Sequence, residues 1–173
     1  MGVIRQPYEE TETASPRRRA PVQGQVPPDY YSVESVRKIF RGRKLAEPPV
    51  SATAFGELAC TIVRYEEEYQ LNILPVVMSA VMRHPELRNA VFGDMVIYAL
   101  HDGVGKGSQG NAVLPELKQD AVLKLKALMK PAELEFFRNW IRAIEGMPFT
   151  ELCAREYARV REIWLDWHGD GSV

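Results

Sequence analysis

The run Gly103-Val104-Gly105-Lys106-Gly107-Ser108-Gln109-Gly110 sets one lysine among glycines, the make-up of loops whose backbone N–H groups cradle phosphates. Such a loop needs a strand before it and a Ser or Thr directly after the lysine to hold the metal. Gly107 stands at that position, and the residues before the loop have helical period, so the run reads as a connection between helices. Asp94, Tyr98, His101 and Asp102 share one side of a helical stretch and have the types needed for acid/base work, but a solvated polar edge accounts for them more simply. His84, His101 and His168 stand at helix ends, outside any zinc-ligand spacing. No serine or cysteine lies in a nucleophile motif. The expectation is therefore a protein that is not an enzyme, with no catalytic residue, metal ligand or cofactor.

Residues suited to binding are easier to find. Pro27-Pro28-Asp29-Tyr30 matches the PPxY pattern that WW domains take up, with the prolines in a polyproline II turn and the tyrosine ring in a groove. It resembles the short docking motifs of viral structural proteins and signalling adaptors, over four residues only. Tyr30, Tyr31, Ile39 and Phe40 form a wider set of anchors that could fold on a partner. Near the other end, Cys153, Tyr157, Val160, Trp164 and Trp167 follow each other at spacings of 4, 3, 4 and 3, a coiled-coil-like seam. Trp164 and Trp167 either complete the core or meet a partner or a second copy.

Positive charge is concentrated early. Arg17, Arg18 and Arg19 form one cluster, and Arg37, Lys38, Arg41, Arg43 and Lys44 form another. Residues 1–50 hold nine Lys or Arg against six Asp or Glu, net plus three, which leaves 13 against 17 in residues 51–173, net minus four. Contact with RNA or DNA phosphates, if made, belongs to this N-terminal arm. Glu66, Glu67 and Glu68 read as a solvated face, with the chain's own arm as an alternative neighbour.

The elements that must position these residues are helical. Residues 1–31 carry Pro7, Pro16, Pro21, Pro27 and Pro28 among polar residues, and read as a disordered or extended arm. A short amphipathic helix is expected near 32–42, capped by Ser32, and Pro48-Pro49 closes the arm at residue 50. Residues 51–173 are expected to form one all-α domain, a compact bundle of about six helices. Phe55, Leu58, Ile62, Tyr65 and Tyr69 predict a first helix of about twenty residues. Further starts are predicted at Pro75, Pro85, Pro115, Pro131 and Pro148. The 46% apolar composition supports one core, and two cysteines in apolar stripes, Cys60 and Cys153, read as reduced thiols.

The longest apolar run, Leu71 to Met82, is interrupted by Asn72, Pro75 and Ser79, so no transmembrane segment is expected. With neither a signal nor a transit pattern at the start, an intracellular location is expected, cytoplasmic or within a particle assembled there. The function that fits is a structural or adaptor subunit of a larger assembly, whose arm docks on partner subunits, with self-association possible. The alternative is a helical protein of a ribonucleoprotein or viral particle, with its basic arm on phosphates.

Overall fold

The computed structural model describes residues 26–62, 67–89, 93–102 and 122–165, and every regular element among them is helical. α1 spans Val33–Ile39, α2 Ala52–Ile62 and α3 Glu67–Arg83. A 3₁₀ turn, Pro85–Asn89, leads to α4 at Gly93–Asp102. Residues 122–127 form α5, followed by α6 at Pro131–Ala143, α7 at Pro148–Leu152 and α8 at Ala154–Trp164.

α3 is the centre of the bundle. Leu71, Ile73, Leu74, Val76, Val77, Met78, Ala80 and Val81 are all buried, which covers every side of the helix. Pro75 sits within it rather than at its start, contrary to expectation. Its missing N–H deprives the Leu71 carbonyl of its usual helical partner, a cost that packing around the whole helix offsets. The apolar stripe of the first predicted helix also stops short, since Phe55 and Ile62 are buried while Tyr69 is 57% exposed.

α6 buries Phe136, Phe137, Trp140 and Ile141, two adjoining rows of apolar side chains one turn apart. The Trp140 indole N–H donates to the Met78 carbonyl at 2.9 Å, tying α6 to the centre of α3. Pro131 and Pro148 open α6 and α7 at first-turn positions, as expected. The single last helix of the sequence reading is two, because the chain turns at Cys153 between α7 and α8. Cys60 and Cys153 are not joined in a disulfide.

The main departure concerns the expected boundary at residue 50. Ser32 caps α1 by accepting from the Ser35 N–H at 3.2 Å, as the sequence indicates. The helix then buries Val36 and Phe40, one turn apart, in the same core as α3 and α6. Tyr31 joins them, and Leu45 and Ala46 pack against that core from the extended stretch that follows. The Ala46 N–H donates to the Asn72 carbonyl of α3 at 2.9 Å. Residues 26–50 are thus part of the domain and not a free arm, and residues 1–25 lie outside the described structure.

Composition explains the misplacement: the prolines and cations of this stretch mask Tyr31 and Phe40, whose ring partner Phe136 lies about a hundred residues away. Deleting residues 1–50 should therefore unfold or severely destabilise the remainder. Phe40→Ala alone should lower the unfolding free energy by about 3–5 kcal/mol in urea denaturation.

Candidate functional site

The candidate binding residues divide into those the core consumes and those it leaves outward. Tyr31, Phe40 and Trp164 are buried, which withdraws them as partner anchors. The Tyr31 and Phe40 rings meet Phe136 edge-on at 5.6 and 5.2 Å between centroids. Trp164 stacks on Phe137 at 5.4 Å, and its indole N–H donates to the Leu100 carbonyl at 3.0 Å. Of the two tryptophans in the seam, Trp164 completes the core, and Trp167 lies outside the described residues.

Ile39 is half-buried against the same cluster. Tyr30 is half-buried too, stacked on Phe136 at 5.7 Å, and its hydroxyl accepts from the Asn139 amide at 3.3 Å. Burial pushes its phenol pKa up, the hydrogen bond from Asn139 opposes that, and the charge of Glu135 adds to it. Pro27, Pro28 and Asp29 are exposed.

The cations separate in the same way. Arg17, Arg18 and Arg19 lie outside the described residues. Arg43, expected on a phosphate, is used internally: its Nε and Nη2 donate to the two carboxylate oxygens of Glu133 at 2.8 and 2.7 Å. Nη2 also reaches the Leu128 carbonyl at 2.6 Å. Glu133 has no solvent exposure and also accepts from the Lys130 N–H at 2.9 Å. Burial alone would push this carboxyl up, but the Arg43 guanidinium, the Lys130 N–H and both neighbouring charges hold it below the usual range. Arg43 is in turn raised above its ordinary value by Glu133, with burial opposing and Glu68 adding to the shift.

Arg37, Lys38, Arg41 and Lys44 are exposed. Arg37 approaches Glu47 at 3.9 Å, an exposed pair of little energetic weight. The fold adds Lys130 to this group, its ammonium donating to the Arg41 carbonyl at 2.8 Å beside Gly42. Gly42 has φ +96°, which lets the chain turn back from α1. Sequence reasoning missed Lys130 because the contact spans 89 positions. Its one local signal was its place before Pro131, at the start of a helix. The structure thus leaves Arg37, Lys38, Arg41, Lys44 and Lys130 exposed, a basic face that also carries the carboxylate of Glu47 beside Arg37.

Two other regions hold polar groups. Lys126 lies with its ammonium 4.9 Å from the centroid of the Trp164 ring and donates to the Ile163 carbonyl at 2.5 Å. Arg138 donates to the Trp164 carbonyl at 3.1 Å, so two cations meet the C-terminal carbonyls of α8. Burial, with the charge of Arg138 adding to it, pulls Lys126 down to about 8. A cleft of about 470 Å³ is lined by His101, Arg155, Glu156, Ala158, Arg159 and Glu162. Two arginines there face two glutamates, a balanced set that favours neither an anion nor a cation. The Gly103–Gly110 loop lies outside the described residues, and none of these lining residues belongs to the basic face.

No family model, curated protein or solved structure matches this chain.

The buried pair yields an acid signature. Because the folded pKa of Glu133 is depressed, its contribution is fully present above the ordinary carboxylate value of about 4.3 and is lost as pH falls through the folded value. At pH 7 Glu133→Gln should cost about 1.5–3 kcal/mol, a gap to wild type that narrows as urea titrations are carried below the ordinary carboxylate value. Arg43→Ala, which strands the carboxylate, should cost about 3–5 kcal/mol.

Lys126 gives the opposite window. Its folded pKa is lowered, so its charged form is penalised in the fold, and that penalty is relieved as pH rises from about 8 toward the ordinary lysine value of about 10.4. Wild type should gain stability over that range relative to Lys126→Met, as read by thermal unfolding.

Proposed function

We propose that the chain is a non-enzymatic structural or adaptor subunit of a larger assembly, docking an acidic surface of a partner subunit on its basic face. The observation behind this reading is the division of labour within residues 37–44. One cation, Arg43, neutralises a buried carboxylate, while Arg37, Lys38, Arg41 and Lys44 remain exposed on a backbone that the same ion pair makes rigid. Rigid presentation lowers the ordering cost of association. A predominantly positive surface, tempered by Glu47 beside Arg37, steers and orients an oppositely charged partner more than it tightens the complex.

A second reading, contact with RNA or DNA phosphates, draws on the same residues, since 37–44 holds five cations and no acid. The acidic balance of residues 51–173, net minus four, disfavours an extended polyanion wrapped around the domain and suits a compact acidic patch.

Co-purification of the full chain from its native host, with and without nuclease, separates the two. The protein-partner reading expects a complex that survives nuclease and is lost in the triple variant Lys38→Glu, Arg41→Glu, Lys44→Glu, which spares Arg43 and leaves the melting temperature within a few degrees. Retention of the partner by the folded triple variant contradicts it. Release by nuclease, with affinity falling about a hundredfold between 50 and 200 mM salt for four phosphate contacts, would put the polynucleotide reading in its place.

A further inference from the structure

We infer that Pro27-Pro28-Asp29-Tyr30 is a docking motif for a WW-type domain which this fold holds closed, with its prolines presented and its tyrosine withheld. This inference does not depend on the basic face, since none of its residues is a cation. Pro27, Pro28 and Asp29 are exposed, as a partner's aromatic groove requires. The Tyr30 ring, which that groove must also receive, is engaged within the chain instead. It stacks on Phe136 at 5.7 Å and 27°, meets Tyr31 edge-on at 5.0 Å, and has its hydroxyl held by Asn139. One face of the ring cannot lie on Phe136 and in a partner's groove at once.

The release needed is local. The Tyr30 N–H donates to the Pro27 carbonyl at 3.0 Å and the Ser32 N–H to the Asp29 carbonyl at 2.9 Å, so the motif is a turn standing at the head of α1. Immediately after it the chain is pinned, because Tyr31 is buried and its carbonyl accepts from the Ser79 hydroxyl at 2.6 Å. Tyr30 can therefore swing out while Tyr31, Val36 and Phe40 keep the core intact. The affinity of a motif that is open only part of the time is reduced by the open fraction. Aromatic stacking plus one hydrogen bond makes that reduction about ten- to a hundredfold.

The test is calorimetric titration, at high salt so that the cations contribute nothing, of a WW domain known to take PPxY peptides. It is titrated against a synthetic peptide of residues 23–33, the same peptide with Tyr30→Ala, the full chain, and full chains carrying Asn139→Ala or Phe136→Leu. The peptide should bind through Tyr30, and the full chain should bind at least about tenfold more weakly. The variants, verified as folded by circular dichroism, should recover part of the difference, since the first removes the hydroxyl's partner and the second removes the stacking ring but keeps an apolar side chain. A peptide that does not bind, a full chain that binds as tightly as the peptide, or folded variants with no gain in affinity would each overturn the inference.

Discussion

A carboxylate without solvent exposure in the first turn of α6 is the constraint on which the rest of the arrangement depends. Glu133 cannot remain charged in that place unless donors surround it, and the Lys130 N–H supplies only one. Arg43 supplies two more in a bidentate fork, which fixes both the position and the orientation of the backbone around residue 43. Stability alone does not call for such a pair, since well-packed apolar residues of similar volume often serve as well. What the pair adds is register: it allows one way for residues 40–46 to pass over the start of α6.

From that register follow the surfaces. Phe40, three residues earlier, is turned into the aromatic cluster around Phe136, and Gly42 makes the bend between them. The same geometry leaves Lys38, Arg41 and Lys44 exposed and brings Lys130 to the Arg41 carbonyl. At the other end of α1, Phe136 also receives Tyr31 and Tyr30, so one phenylalanine is contacted by three rings from residues 30–40. The exposed cations and the turn at residues 27–30 are thus attached to the core at two points of α6, Glu133 and Phe136, one helical turn apart.

Helical class, the cap at Ser32 and the starts at Pro131 and Pro148 could all be read from local patterns, because 3.6-residue period and capping chemistry operate within a few residues. Pro75 misled for the opposite reason, since the packing that tolerates it comes from the whole bundle. The boundary at residue 50 failed on sequence separation. Nothing near Arg43 announces that its carboxylate is 90 residues away, and nothing near Phe40 announces Phe136. In a basic, proline-rich setting these residues look like a binding arm, and only tertiary structure separates Arg43 from its exposed neighbours. Trp164 was recognisable as a seam residue, but whether the seam faced its own core or a partner depended on Phe137 and Leu100, which no local pattern reveals.

Native-state hydrogen exchange at α1 tests most directly whether the segment that carries the exposed cations and the PPxY turn belongs to the domain. The amides of Val36 and Phe40 donate to the Ser32 and Val36 carbonyls at 3.0 and 2.9 Å, and both side chains lie in the core. If α1 is integral, these amides exchange only through global unfolding, with the same opening free energy and the same denaturant dependence as the amide of Ile144, which bonds the Trp140 carbonyl at the end of α6. Exchange of the α1 amides through a smaller opening, with Ile144 still protected, would show a detachable arm and contradict the account.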